Sequence, residues 1–501
     1  MTYRNPVIGG FHPDPSVCRV GDDYYLVTSS FEYFPGVPLF HSRDLVHWRQ
    51  IGHCLTRESQ LNLAEARSSA GIYAPTIRFR DGTFYVTTTN VSGIGNFFVT
   101  TRDPFGEWSD PVAVDHPGID PDLFFDEGGT VYYTTSYRQG IYQSRIDART
   151  GERLSEPRLI WSGTGGQYPE SPHIYRIRDW YYLFIAEGGT EYGHMETVAR
   201  SRRPDGPYES CPDNPILTHR SLLSPIQATG HADLVQTPTG EWWAVFLGIR
   251  PVGYPFRHHL GRETFLAPVA WMDNGWPSIG DNGRVAEAMP SGDLPLQPWP
   301  APPERDGFDG ATLAPELNFL RSPDRANWSL SEKASCLTLR GTPVTLNDGG
   351  APAFVGRRQQ HFSCQVSAHL SFVPSRDGEE AGLAVYMNEK FHYEIAMTLS
   401  MGERKLIFRR RLGSLQKVEN EIPWSADSVE FIVRADQERY AFGFAGGDGE
   451  TRWLGRGECA LLAAEVAGGF TGVMIAMYAT GNGAQSASPA HFDWFEYRGS
   501  D

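Results

Sequence analysis

Three acidic residues and one histidine recur at the same point of a repeated pattern. Asp14, Asp120, Glu170 and His231 each open a short apolar segment: DPSVCRV, DPDLFFD, ESPHIYRI and HADLVQT. A fifth segment of the same kind, APTIRFR, opens on Ala74. Each opening residue stands 10 to 12 positions ahead of an aromatic pair. If the five segments are equivalent strands of a closed array, these residues meet at one spot despite their distance in sequence. Three carboxyl groups in one spot are electrostatically costly. Like charges raise one another's pKa, so at least one group stays protonated near neutrality. That mixture serves stability poorly, but it suits cleavage of a glycosidic bond. One carboxylic acid protonates the leaving oxygen, and one carboxylate activates water or attacks carbon. A third can hold the acid's proton in place and adjust its pKa.

The elements that must position these groups are legible in the aromatic pairs. They occur in DDYYLVTSS (22–30), DGTFYVTTT (81–89), GGTVYYTTS (128–136), RDWYYLFIA (178–186) and TGEWWAVFL (239–247). Each run is rich in β-branched and aromatic residues and follows a Gly or Asp turn, which reads as a strand opened by a hairpin. Five units of about 50 residues, each with several short strands, predict a five-bladed β-propeller over residues 1–295. The first strand of each blade lines the central channel, so its opening residue lies near the axis at one mouth. Taken singly, each candidate has an ordinary reading. Asp14 and Asp120 are turn residues beside proline, Glu170 is a solvated acid, and His231 is a hydrogen-bonded core imidazole. Their common register joins them. The aromatic pairs themselves read as packing between blades.

The stretch PSGDLPLQPWPAPPERDGFDG (290–310) is crowded with proline and polar residues, and its 296–305 portion reads as a linker. Beyond it, SCQVSAHLSFV, HYEIAMTLS, RKLIFRRR, VEFIVRAD and GVMIAMYA alternate apolar with polar residues. They predict an all-β, jelly-roll-like sandwich over 306–501. No acid cluster in it suggests separate chemistry. The 501 residues hold 44 Lys and Arg against 60 Asp and Glu, a net charge of −16. Such a surface repels phosphate backbones and anionic lipid, which argues against nucleic-acid and membrane partners. Six cysteines (18, 54, 211, 336, 364 and 459) form no CxxC pair and read as reduced, buried thiols. With no apolar run at the N-terminus, the expected location is the cytoplasm. Self-association is left open.

At these same residues the chain resembles glycoside hydrolase family 43, in its two-domain β-xylosidase/α-L-arabinofuranosidase branch. The matching stretches include NPVIGGFHPDPSVCRVGDDYYLVTSSFEYFPGVPLFHSRDLVHW, GIYAPTIRF, GIDPDLFFDEGGTVYY, ESPHIYRIRDWYYLFIAEGGT, ATGHADLV and GRETFLAPV. The resemblance implies an inverting mechanism with Asp14 as general base, Glu170 as general acid and Asp120 as the residue that tunes and orients Glu170. It further implies that Arg262 contacts glycone hydroxyls, that His231 lies at the base of the pocket, and that Phe31, Tyr73 and Ala74 contribute to its wall. A calcium or other divalent cation is expected on the axis near His231, bound through water and with no part in the chemistry, which needs no cofactor. The sandwich domain is expected to lend an aromatic residue, Phe470 in GGFTGVM, to the rim. Two positions depart from the pattern: Tyr73 stands where relatives usually carry Trp, and Asp122 where a small hydroxyl residue is usual. The second adds a charge near Asp120.

A rim that closes the pocket implies exo action. The leading expectation is release of terminal D-xylose from β-1,4-xylo-oligosaccharides, with activity on α-L-arabinofuranosyl groups. A primary α-L-arabinofuranosidase on arabino-oligosaccharides is the alternative within the class. A carbohydrate-binding propeller without catalysis is the alternative outside it, and it predicts loss of some axial acids, all three of which are present. A sialidase-like propeller would carry an arginine triad and SxDxGxTW repeats, which the chain lacks.

Overall fold

The computed structural model describes residues 1–447 and 449–500. Five antiparallel four-stranded sheets form a β-propeller, one of them carrying an additional short strand. Blade 1 runs Ser16–Val20, Asp23–Val27, Gly36–Ser42 and Arg49–Leu55 from the axis outward. The innermost strands of blades 2 to 5 are Thr76–Arg80, Ile119–Phe125, Glu170–Ile177 and Gln227–Gln236. The ring closes through the N-terminus: Ile8 bridges Thr264 of blade 5, and Thr2–Arg4 pairs with Ala288–Pro290.

The repeated aromatic residues pack blade on blade. Tyr25 meets Phe84 edge-on at 5.0 Å, Tyr85 meets Phe125 at 4.9 Å, Phe124 meets Tyr181 at 5.8 Å, and Tyr182 meets Trp271 at 4.9 Å. Such pairs contribute about 0.5–1.5 kcal/mol each beyond their buried area. Their recurrence at four of the five junctions is why the aromatic repeat marks the blades.

Strand pairing defines which residues are equivalent. Ser16, Thr76, Asp122, His173 and Asp233 pair with Val27, Thr87, Thr134, Phe184 and Val245 in their respective hairpins. Two positions upstream stand Asp14, Ala74, Asp120, Ser171 and His231. Four of these share a left-handed backbone, with φ of 55° at Asp14, 53° at Asp120, 54° at Ser171 and 57° at His231. The register read from the sequence therefore needs one correction. Ser171 holds the equivalent place in blade 4, and Glu170 stands one residue before it. The same register shift stands in blades 3, 4 and 5, so Glu170 corresponds to Ile119 and Gly230 rather than to Asp120 and His231.

One layer beneath, all five blades are tied together on the axis. Arg78 of blade 2 donates to Asp122 of blade 3 and to Asp233 of blade 5, both at 2.8 Å. It also reaches His173 Nδ1 of blade 4 at 2.9 Å. Ser16 of blade 1 donates to Asp233 at 2.5 Å, and Tyr175 also donates to that carboxylate. The extra charge at Asp122 is thus paired with Arg78, which it shares with Asp233. Arg78 holds Asp233 far below the usual carboxylate range against the opposing effect of burial.

The segment 290–305 packs back on blade 1, where Trp299 donates to the His41 carbonyl and lies under the Arg49 guanidinium at 4.4 Å. The second domain is a sandwich of two sheets. Along Phe391–Ser400, the side chains of Tyr393, Ile395 and Met397 enter the core between the sheets. Ala396, on the opposite face, packs with Tyr386 and Phe354 against Phe11, Phe31 and Tyr33 of the propeller. Tyr33–Phe34 also pairs with Asn318–Leu320, so a propeller segment becomes the edge strand of a sandwich sheet. All six cysteines are buried, and among the described residues none forms a disulfide. No helix of the described residues is long and apolar enough to cross a membrane.

Candidate active site

The propeller axis opens into a pocket of about 100 Å³ that brings together Asp14, Phe31, Tyr73, Ala74, Asp120, Glu170, His231, Arg262 and Phe470. All nine residues singled out in the sequence line it, with Ile119 and Thr190. Asp14 accepts from Arg262 Nη1 at 2.7 Å and from Ser29 Oγ at 2.5 Å. Asp120 accepts the Ser171 N–H at 3.3 Å, so blade 4 orients a carboxyl of blade 3. His231 Nδ1 lies 3.7 Å from Asp14 Oδ1.

The walls are aromatic and come from both domains. Phe31 is buried with a left-handed φ of 48°, and its ring lies 5.4 Å from Tyr73 and 6.2 Å from Phe470. Phe470 remains 40% exposed and forms the rim. Its backbone N–H donates to Ser69 Oγ at 2.8 Å, and its carbonyl accepts from Arg262 Nη2 at 3.3 Å. The GGFTG turn can approach so closely because Gly472 lies against the Leu260 backbone and Gly469 against Ser69 Oγ. A side chain at either position would push the rim outward.

The three carboxyl groups are driven to different protonation states. Burial pushes Asp14 upward, but Arg262, then His231 and Ser29, outweigh it and hold its pKa below the ordinary value. Burial and the Asp14 charge raise Asp120 to about 7. Burial, then Asp120 and Asp14, raise Glu170 well above the usual carboxyl range. Near neutrality the pocket therefore holds a charged Asp14 opposite a protonated Glu170. One group can take a proton while another gives one.

Two features escaped the sequence reading. His194, fully buried, donates Nδ1–H to the Gly189 carbonyl at 2.7 Å and lies 4.0 Å from Glu170. Burial lowers its pKa to about 4, so it is a neutral imidazole. Thr190 and Tyr192 flank it on a blade-4 loop and open a second, outer cleft of about 420 Å³. This loop lies outside the innermost strands that carry the repeat. Its one signal was the glycine pair in EGGTEYGH, which permits the tight turn at Gly188–Gly189.

The donor set around His231 does not fit a divalent ion held directly by protein. Burial lowers the His231 pKa to about 3, leaving a neutral imidazole. Among the described residues no three His, Cys, Asp or Glu side chains converge as a ligand set. The two carboxylates of the layer beneath are already matched by Arg78.

Comparison with known proteins identifies the family. The model of glycosyl hydrolases family 43 matches residues 3–277, more than half of the chain. The chain belongs to glycosyl hydrolases family 43. Residues 305–498 of this family 43 enzyme match the β-xylosidase C-terminal concanavalin A-like domain. A non-reducing end α-L-arabinofuranosidase of Bacteroides ovatus is 45% identical over 99% of this chain and 95% of its own length. A xylosidase/arabinosidase of Butyrivibrio fibrisolvens is 37% identical over 98% of each chain. The solved xylan β-1,4-xylosidase of Bacillus halodurans superposes with a TM-score of 0.93 at 35% identity, covering 99% of this chain and 100% of the other. The family 43 protein is a glycoside hydrolase whose substrate class is oligosaccharide.

Proposed function

We propose that this enzyme is an exo-acting, inverting glycosidase that releases terminal D-xylose from β-1,4-xylo-oligosaccharides, and that the same pocket accepts α-L-arabinofuranosyl groups. The observation that carries the reading is the charge pattern of the axial pocket, with Asp14 ionised by Arg262 and Glu170 kept protonated by burial. In this reading Asp14 takes a proton from water as the oxygen attacks the anomeric carbon. Glu170 gives its proton to the leaving oxygen as the glycosidic bond breaks. Asp120 raises the pKa of Glu170, and Arg262 both charges Asp14 and orients the sugar. Phe31, Tyr73 and Phe470 offer apolar faces to the C–H faces of the ring and limit the pocket to a terminal residue.

Acid, base and water complete the reaction without an organic cofactor. A divalent cation on the axis would be held beside His231 through water. The scattered, buried cysteines suit a reducing compartment, so we place the enzyme in the cytoplasm, acting on imported oligosaccharides. A primary α-L-arabinofuranosidase is the second reading, and the name of the relative at 45% identity favours it.

Turnover of 4-nitrophenyl β-D-xyloside beside the α-L-arabinofuranoside, with the released anomer followed by NMR, tests the proposal. Faster xyloside hydrolysis with α-xylose appearing first is the expected result. Turnover of neither glycoside, or β-xylose appearing first, would refute it.

A further inference from the structure

The rim aromatic of the sandwich domain is held by a serine of the propeller. The Phe470 N–H donates to Ser69 Oγ at 2.8 Å, and Ser69 lies on the loop 56–75 that joins blades 1 and 2. The sandwich domain grips this loop along its length. Ser322 Oγ accepts the Leu63 N–H at 2.7 Å, Arg321 Nε donates to the Ala66 carbonyl at 2.6 Å, and Glu389 accepts from Ser68 Oγ at 2.5 Å. Ser69 itself has a left-handed φ of 62°. That conformation is costly for a residue other than glycine and persists where neighbours fix it.

The neighbour that fixes it is Glu32. One oxygen of its carboxylate accepts the Ser69 N–H at 3.0 Å, and the other has no hydrogen-bond partner among the described residues. Glu32 is fully buried, and burial raises its pKa to about 7. One backbone donor does not offset the loss of water. An apolar side chain of the same volume would therefore serve the fold at least as well.

Its place in the chain supplies another reason for a carboxylate. Glu32 follows Phe31 of the pocket wall, and its own carbonyl accepts the Arg321 N–H at 2.8 Å. Phe31 and Ile72 exchange both backbone hydrogen bonds, at 2.9 and 3.1 Å, and Ile72 precedes Tyr73. Gly71 permits this approach, since a Cβ there would lie 2.3 Å from the Phe31 carbonyl oxygen. Glu32 thus stands where the three wall aromatics are brought together. The Tyr73 ring lies 5.4 Å from Phe31 and 6.3 Å from Phe470.

Resting on the proposed glycosidase reading, we infer that Glu32 is a positioning residue for the terminal sugar. By holding Ser69 it sets where Phe470 stands against Phe31 and Tyr73, and so how tightly the sugar is bound. It has no part in cleaving the bond.

The test is steady-state kinetics on 4-nitrophenyl β-D-xyloside and α-L-arabinofuranoside, with Tm measured beside it. Glu32→Met keeps the volume and removes the acceptor, so Tm is expected to hold or rise. KM is expected to rise about two- to tenfold while kcat stays within about twofold. Ser69→Ala removes the acceptor for the rim, leaves the carboxylate in place, and is expected to give the same rise. In a Phe470→Ala background neither substitution is expected to raise KM further. A purely structural role would move Tm and leave KM. Unfolding of Glu32→Met, an unchanged KM in either variant, or full additivity with Phe470→Ala overturns this inference alone. No turnover of either glycoside by the unaltered enzyme overturns the glycosidase reading and this inference with it.

Discussion

Asp14, Asp120 and Glu170 carry the same functional group, and their neighbours make them chemically different. Arg262 lies against Asp14 alone, at 2.7 Å, while Glu170 has no such cation and lies close to two other carboxyl groups. The charge on Asp120 is one of the causes that keep Glu170 protonated, which gives Asp120→Asn a definite sign. Removing the charge lowers the pKa of the acid, so Glu170 loses its proton at lower pH. The alkaline limb of kcat/KM is expected to move to lower pH by about one unit or more, as read from a pH–rate profile. An unmoved or upward-shifted limb would separate Asp120 from the acid. The axial acids were legible because their types recur in register. His194 was not legible, because a histidine in a loop carries no periodic signal and its proximity to Glu170 arises only when blade 4 folds. Asp122 could be seen as an extra charge, but its partner could not. Arg78 reads as the polar face of an ordinary strand until four other blades converge on it.

At the scale of the element, local backbone geometry does the positioning. The left-handed residues Asp14, Asp120 and His231 and the irregular starts of the innermost strands in blades 3 to 5 turn side chains toward the axis. The repeat was visible in the chain, and so was the alignment that sets Glu170 one residue upstream of its register. Ser171–Pro172 matches Asp14–Pro15, Ala74–Pro75 and Asp120–Pro121, and aligning carboxyl with carboxyl in place of that pairing puts Glu170 in register. The GGFTG turn is the second positioning element. The structure shows why Gly472 cannot be replaced: a Cβ there would overlap the Leu260 carbonyl oxygen. Gly472→Ala is therefore expected to displace Phe470 and raise KM for the terminal glycoside about two- to tenfold, the worth of one aromatic contact. Steady-state kinetics checks this, and an unchanged KM would remove Phe470 from the pocket wall.

At the scale of the whole molecule, neither domain holds a complete site. The propeller supplies the acids and the base-activating arginine, and the sandwich supplies the rim at Phe470 and the clamp at Glu465 on Tyr192. The union is covalently simple and physically deep, since Tyr33–Phe34 completes a sandwich sheet while the adjacent Phe31 lines the pocket. Recurrent aromatic pairs announced the propeller, and alternating apolar and polar residues announced the sandwich. They could not announce the shared edge strand, which is two residues long and has no periodicity. Ring closure is what places Asp14 of blade 1 and Glu170 of blade 4 in the same axial pocket. The most direct test is Glu170→Gln assayed on two substrates whose leaving groups differ in their need for a proton. Hydrolysis of xylobiose is expected to fall by about 10²–10⁴-fold, while the 2,4-dinitrophenyl β-D-xyloside, which departs without protonation, keeps most of its rate. Equal losses on both substrates, or full activity on xylobiose, would contradict the assignment of Glu170 as the acid.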